Sequence, residues 1–310
     1  MGRDVFESSP AARAVFDAAD ACLSGSLGES HGSPLSELCF EGPEEDLRPT
    51  EVQQPAILTT SIALLRALQE ELGDLAPAYV GGHSLGEYTA LVAAGALDFE
   101  DAVRTVHLRG RLMQEAVTEG QGAMAAVLGV GPEVVTDACN RAASETGLVV
   151  TPANFNSTQQ TVIAGAAAAV EIACNKVREL GAKRTVPLPV SAPFHCALME
   201  PAAVSLAPEL EKLDWKPAAP PVVTNVEAEP NQDPARIPGL LREQVTAPVR
   251  FTEMISRMKE LGVDSYLEVG PGRVLTGLVA RIERRARRAH FSSLAELDEV
   301  RDFVTGNVSS

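Results

Sequence analysis

The feature that most constrains the fold is a short apolar run followed by a glycine turn and a helical pattern. Ala78 to Val80 is typical of a strand, the segment GHSLG at 82–86 forms the turn, and residues 88–94 show helical spacing. This order predicts a parallel α/β unit, in which the functional residue lies at the carboxyl end of a strand.

The turn fits the Gly-x-Ser-x-Gly pattern of a nucleophile elbow. Gly82 and Gly86 permit the sharp bend that lifts the hydroxyl of Ser84 above the sheet edge. The backbone amide of Leu85, at the start of the following helix, is then expected to face a developing oxyanion. A glycine-rich turn with no catalytic role is the alternative that this pattern leaves open.

A different order of elements occupies the middle of the chain. Residues 122–190 predict β-α-β-β-α-β, which is the ferredoxin-like order. We therefore expect a parallel-sheet α/β-hydrolase-like core formed by residues 1–121 and 191–310, with a ferredoxin-like subdomain at 122–190 inserted into it.

Charge and cysteine content exclude several classes of function. The formal net charge is -16, which argues against nucleic-acid binding. The five cysteines are scattered and indicate neither a disulfide framework nor a zinc site. No run is long and apolar enough for a membrane span and no signal peptide is evident. The cytoplasm is the expected location, with a plastid form lacking its transit peptide as the alternative.

A serine nucleophile needs a base, because its own pKa leaves almost no alkoxide near neutrality. The candidates are His31, His83, His107, His195 and His290. His195 follows a strand-like, proline-rich segment in an irregular stretch that suits a residue held over a cleft. The residues alone leave a structural role for His195 open.

Six segments, in order, closely resemble the malonyl-CoA:acyl carrier protein transacylase family. They are GHSLGEYTA at 82–90, LRGRLMQEA at 108–116, GAMAAVLG at 122–129, NFNS at 154–157, PFHCALMEPA at 193–202 and EVGPGRVLTGL at 268–278. The resemblance runs from about residue 1 to residue 285.

The resemblance implies roles for three residues. Ser84 corresponds to the nucleophile that attacks the malonyl thioester, His195 to its base, and Gln244 to the glutamine whose main-chain carbonyl orients that histidine. The implied reaction passes the malonyl group from coenzyme A to the phosphopantetheine thiol of acyl carrier protein through a malonyl-serine ester. It uses no metal and no tightly bound cofactor.

The resemblance also implies how the substrate is selected. Arg109 corresponds to the arginine that binds the malonyl carboxylate, a task for which a planar guanidinium is well suited. Composition alone does not show which of Arg104, Arg109 and Arg111 binds the carboxylate. It also leaves open that each of them is only a solvated charge on the surface of a helix. Phe194 corresponds to the bulky residue that leaves little room for a methyl branch. Without the resemblance it is a core residue.

Further positions are implied around the cleft. Asn156 corresponds to an asparagine on the coenzyme A side, and His83 is assigned with it to substrate binding. Lys183 and Arg184 correspond to a basic pair that docks the carrier protein, an acidic partner that a negatively charged enzyme meets through a local positive patch. An ordinary exposed basic pair is the alternative.

One family feature is missing from this sequence. Family members begin with a strand that ends in a glycine-glutamine-glycine turn, whose amide supplies the second oxyanion donor. Met1 and Gly2 align just after that turn, and residues 120–122 come too late to replace it. We expect an upstream start in the native protein, since loss of one donor typically lowers the rate about 100- to 1000-fold.

Two other functions remain as alternatives. A hydrolase would use the same serine and histidine with water as the acceptor, and a catalytically impaired module would only bind the carrier protein. Fatty acid synthesis is the expected pathway, with polyketide synthesis as the alternative.

Overall fold

A computed structural model describes residues 1–27, 32–190 and 192–306 as a mixed α/β structure. His31, one of the candidate bases, lies outside the described residues. So does Ser191, where the second segment of the expected core begins.

Helices provide most of the regular structure. In the described part of the chain they are α1 (Arg3–Ser8), α2 (Pro10–Leu23), α3 (Leu35–Glu41), α4 (Thr50–Leu72), α5 (Leu85–Ala93), α6 (Phe99–Glu115), α7 (Pro132–Thr146), α8 (Ala167–Glu179), α9 (Glu200–Glu211), α10 (Ile237–Thr246), α11 (Phe251–Glu260), α12 (Val274–Ile282) and α13 (Leu297–Thr305). None of these described helices is both long and apolar enough to cross a bilayer.

The strands of the described residues form three small sheets. They are β1 (Val80–Gly81), β2 (Gly122–Leu128), β3 (Val150–Ser157), β4 (Gln160–Ala166), β5 (Arg184–Pro187), β6 (Val222–Val223), β7 (Pro230–Asn231), β8 (Ser265–Val269) and β9 (Arg287–Phe291). Strand β1 pairs with β6 in parallel, and β6 pairs with β7 antiparallel. Strands β8 and β9 form a separate parallel pair.

The largest sheet has four strands in the order β3-β4-β2-β5, all antiparallel. Helices α7 and α8 pack against it and against each other. Val127, Ile163, Val135 and Val170 belong to a buried apolar cluster shared by this sheet and its two helices. A second large cluster, formed mostly by α2, α4, α5 and α6, lies outside this sheet.

The four-stranded sheet is joined to its surroundings along the edge of β3. The amide of Phe155 donates to the carbonyl of Val249 at 2.9 Å, and the amide of Val249 donates to the carbonyl of Ala153 at 2.9 Å. Thr252 adds a bond of 2.9 Å from its hydroxyl to the carbonyl of Phe155. We call this set of bonds the β3 seam.

Helix α4 shows why its end was easier to predict than its start. Gly73 closes it with a φ of 78°, a conformation that glycine adopts without cost. The apolar residues of the sequence recur at helical spacing from about Gln54 and predict a start there, but α4 begins one turn earlier at Thr50. Thr50 and Gln54 are polar yet buried, and the Gln54 amide donates to the Thr50 hydroxyl at 3.1 Å.

Two expected elements differ from those observed. The sequence pattern predicts a strand over residues 221–226, but only Val222–Val223 pair. The strand ends because the backbone amide of Asn225 donates to Glu87 and its carbonyl accepts from the amide of Arg250. The helical pattern that starts at Val274 predicts that Arg287 and Arg288 lie on or just after that helix, but they lie in β9 instead.

Candidate active site

The turn between β1 and α5 is tight at Gly82 and strained at Ser84. A Cβ on Gly82 would lie 2.2 Å from the carbonyl carbon of Gly86, so no larger residue fits. Ser84 has φ 52° and ψ -106°, outside the favoured regions for an L-residue. Such strain persists only where neighbouring bonds hold it, and it is common at active sites.

Ser84 and His195 come together across 111 positions of sequence. The Ser84 Oγ lies 2.7 Å from Nε2 of His195. The other ring nitrogen, Nδ1, lies 2.8 Å from the main-chain carbonyl of Gln244. Because a carbonyl only accepts, Nδ1 carries the proton and Nε2 is free to accept one from the serine hydroxyl.

Burial keeps the imidazole of His195 neutral. The side chain is 3% exposed. Loss of solvation, followed by the nearby positive charge of Arg109, lowers the His195 pKa from 6.5 to about 3. The neutral form, which is the one able to act as a base, is therefore present throughout the physiological pH range.

The other described histidines face elsewhere. His83 points away from the serine, and its Nε2 lies 2.9 Å from Oδ1 of Asn156 on β3. Burial lowers the pKa of His83. His107 contacts the carbonyl of Glu51 at 3.0 Å, and His290 lies 3.3 Å from a carboxylate oxygen of Glu296.

Arg109 on α6 places a buried guanidinium beside the serine. It is 2% exposed, and its Nη2 donates to Ser84 Oγ at 3.1 Å and to the side-chain Oε1 of Gln244 at 3.0 Å. Its Nη1 donates to Oε1 of Gln54 at 2.6 Å. Its guanidinium carbon also lies 5.5 Å from the ring centre of Tyr88, within cation–π range.

The same helix carries the two other arginines, which are not in this position. Arg104 is half exposed and pairs with Glu100 and Asp101, and Arg111 is exposed. Of the three arginines, the structure brings Arg109 to the serine.

The remaining predicted residues lie at the margins of this cluster or away from it. Leu85 is the first residue of α5, where an amide has no acceptor within its own helix. Phe194, next to His195, packs against two apolar clusters. Lys183 and Arg184 are exposed, and Arg184 begins β5.

Three buried residues complete the cluster without having been predicted. Gln54 holds Arg109, as described above. Asn225 accepts from the amide of Ser84 at 2.6 Å and donates to the carbonyl of Gly82 at 2.7 Å. The carboxylate of Glu87 accepts from the backbone amide of Asn225 at 3.0 Å and from the side-chain Nε2 of Gln244 at 2.7 Å. Only the polarity of Asn225 at the end of a strand could have signalled its role.

The described part of the chain offers no cluster of side chains suited to binding a metal ion. Residues 1–27, 32–190 and 192–306 contain no group of three or more His, Cys, Asp or Glu side chains that could hold a metal ion. All five cysteines are free thiols, and four of them are buried.

Known proteins match this chain over nearly its whole length. An acyl transferase domain model matches residues 1–295. Malonyl CoA-acyl carrier protein transacylase of Bacillus subtilis (strain 168) is 46% identical over 287 residues, covering 93% of this chain and 87% of that protein. The protein of the same name from Escherichia coli (strain K12) is 48% identical over 282 residues, covering 91% and 88%.

Solved structures agree with these matches. An acyl carrier protein S-malonyltransferase from Vibrio cholerae superposes with a TM-score of 0.90 at 44% identity, covering 97% of this chain and 94% of that one. A malonyl-transacylase solved in complex with a type II polyketide acyl carrier protein gives 0.91 at 44% identity, covering 99% and 95%. The chain therefore belongs to the malonyl CoA-acyl carrier protein transacylase family of acyl transferases.

Proposed function

We propose that this chain transfers a malonyl group from coenzyme A to the phosphopantetheine thiol of acyl carrier protein. The observation that carries the proposal is that the imidazole of His195 and the guanidinium of Arg109 both contact the hydroxyl of Ser84. The Oγ of Ser84 lies 2.7 Å from the base nitrogen of His195 and 3.1 Å from the guanidinium of Arg109.

The first half-reaction forms an ester on Ser84. Its Oγ attacks the thioester carbonyl while His195 Nε2 takes the hydroxyl proton, and the carbon-sulfur bond then breaks. The proton passes from His195 to the departing thiolate of coenzyme A. The carbonyl of Gln244 keeps the imidazole oriented throughout, and the amide of Leu85 donates to the developing oxyanion.

The second half-reaction repeats these steps with the carrier protein as acceptor. The phosphopantetheine thiol gives its proton to His195 and attacks the ester carbonyl, and Ser84 recovers its proton. Because the first product leaves before the second substrate reacts, ping-pong kinetics follow.

Arg109 gives the reaction its preference for a dicarboxylic acyl group. Its guanidinium adjoins the nucleophile, so a carboxylate one methylene away from the reacting carbonyl falls within its reach. In a buried site this charge pair is strong, and an uncharged acetyl group would leave the guanidinium without an anionic partner. Phe194 is proposed to limit room for a methyl branch, with discrimination of about 1 to 3 kcal/mol.

Coenzyme A and the carrier protein are proposed to approach from the side of the four-stranded sheet. Asn156 and His83, hydrogen-bonded to each other, would border the coenzyme A path. The exposed pair Lys183 and Arg184 would meet the acidic carrier protein, offsetting repulsion from a chain of net charge -16. The solved complex of a relative with its carrier protein supports such an encounter.

The same proposal covers the architecture and location. The strand order β3-β4-β2-β5 supports a ferredoxin-like subdomain at 122–190, and the parallel β1–β6 pair supports a hydrolase-like core at 1–121 and 191–310. The reaction as written needs no tightly bound cofactor. The cytoplasm, where fatty acid synthesis would take place, is the proposed location.

Radioactive malonyl-CoA tests the proposal directly. The purified chain is expected to acquire one label per molecule and to pass it to added holo carrier protein, while Ser84→Ala acquires none. Release of free malonate without carrier loading would identify a hydrolase instead. Absence of label on the unmodified chain would indicate a module that only binds the carrier protein.

A further inference from the structure

Three buried polar groups beside Ser84 take no part in the proposed proton transfers. They are the carboxylate of Glu87, the side-chain amide of Asn225 and the side-chain amide of Gln244. We propose that Glu87 and Asn225 are positioning residues for acyl transfer, joined through Gln244 into one clamp on the strained serine turn. This inference rests on the proposed function.

Asn225 holds both sides of the turn. Its Oδ1 accepts from the amide of Ser84 at 2.6 Å and its Nδ2 donates to the carbonyl of Gly82 at 2.7 Å, so the two bonds flank His83. Asn225 is fully buried. Without these bonds the half-buried amide of Ser84 and the carbonyl of the buried Gly82 would lose their partners at the point where Ser84 has a φ of 52°.

Glu87 decides which way the amide of Gln244 points. An ionised carboxylate only accepts, so the Gln244 Nε2 must face it, at 2.7 Å. The same Nε2 donates to the carbonyl of Ser84 at 3.0 Å. The Gln244 Oε1 is thereby left to accept from Arg109, at 3.0 Å. Reversing that amide would place an N–H donor against the guanidinium.

Gln244 therefore serves the site from both its main chain and its side chain. Its carbonyl orients His195, its side-chain oxygen holds Arg109, and its side-chain nitrogen holds Ser84. Gln244 thus holds His195, Arg109 and Ser84, the three residues that would act on the substrate. Glu87 in turn holds the side chain of Gln244. Glu87 thus acts on the reaction without touching the substrate.

The charge of Glu87 makes this clamp sensitive to pH. The charged or titratable groups that act on Glu87 are Arg109 from α6 and Tyr88 from its own helix, and Arg109 in turn acts on His195. Burial, opposed by bonds from Gln244 and Asn225, raises the Glu87 pKa from 4.5 to about 7. Protonation below that value would weaken its acceptor bonds, so acylation is expected to slow as the pH falls through about 7.

The test compares Glu87→Gln and Asn225→Ala with Glu119→Gln and Asn140→Ala, two exposed controls. Acylation of Ser84 by radioactive malonyl-CoA is followed by rapid quench from pH 5.5 to 9, with rates expressed per labelled site. Asn225→Ala is expected to lower the acylation rate about 10- to 100-fold with KM for malonyl-CoA within about twofold. The controls are expected to match the unmodified chain.

Glu87→Gln keeps the size of the side chain and one acceptor oxygen, so it is the variant expected to fold even if Asn225→Ala does not. It should acylate more slowly and lose the change in rate near pH 7, because glutamine at position 87 carries no titratable group. An unaltered rate and an unaltered pH profile in folded Glu87→Gln would overturn the proposal. Failure of the proposed function is distinct, since the unmodified chain itself would then take no label.

Discussion

Because the turn around Ser84 is tight at Gly82 and open at Gly86, we expect alanine substitutions at these two positions to have opposite effects on acylation. In Gly82→Ala the new Cβ would lie 2.2 Å from the carbonyl carbon and oxygen of Gly86, where ordinary contact begins near 3.4 Å. The turn must open by about 1 Å, and a misplacement of this size costs about 100-fold in rate. The 2.7 Å contact between Ser84 and His195 would be lost with it.

Gly86→Ala is the matched control. Its Cβ meets no heavy atom within 4 Å, and alanine in a helix is favoured over glycine by about 1 kcal/mol. We expect acylation by malonyl-CoA, measured by rapid quench, to fall at least about 100-fold in Gly82→Ala and to stay within about threefold in Gly86→Ala. Circular dichroism would establish that both variants are folded. A folded Gly82→Ala that acylates at the unmodified rate would refute the steric argument.

Four further predictions concern charge and packing. Arg109→Ala is expected to shift the substrate preference from malonyl-CoA towards acetyl-CoA, whereas Arg104→Ala leaves it unchanged. Competition between the two substrates measures the preference. An unchanged preference for malonyl-CoA in Arg109→Ala would exclude the proposed role of Arg109. Lys183→Glu should raise KM for the carrier protein, most at low salt, and leave KM for malonyl-CoA unaltered; an equal effect on both would argue against docking. The folded chain holds His195 neutral down to a pKa of about 3 while the unfolded chain protonates it near 6.5, so His195 reduces stability as the pH falls through this window. Relative to His195→Asn, the free energy of unfolding should therefore fall by up to about 1.4 kcal/mol per pH unit below 6.5 in urea titrations, and parallel curves would contradict the shift. Phe16→Ala, which removes a fully buried ring from contact with two others, should cost about 3 to 5 kcal/mol by the same assay.

Local pattern was enough to predict the elements that frame the site. The sequence pattern predicts a strand at residues 265–269 and a helix starting at Val274, and the structure has both where they are predicted. The strand predicted at residues 221–226 is longer than the observed one, because the backbone groups of Asn225 bond Glu87 and Arg250 rather than a neighbouring strand.

The site itself was less predictable, because its contacts join distant parts of the chain. Arg104 and Arg109 share one helix, and sequence does not say which face of α6 meets the serine. Glu87 is misleading in another way. Ser84 and Glu87 have the spacing of a helix capping box, but the Ser84 side chain makes no cap bond and Glu87 instead bonds Gln244 and Asn225.

The β3 seam has a consequence for engineering. Val249, which bonds on both sides to β3, lies five positions after Gln244, the residue that orients His195. A chimera that imports the four-stranded sheet from a relative must therefore match the backbone geometry at Ala153 and Phe155. A sheet chosen only for its surface residues would displace the β3 seam and, with it, His195. Changes of carrier-protein specificity should therefore begin with exposed side chains far from this edge.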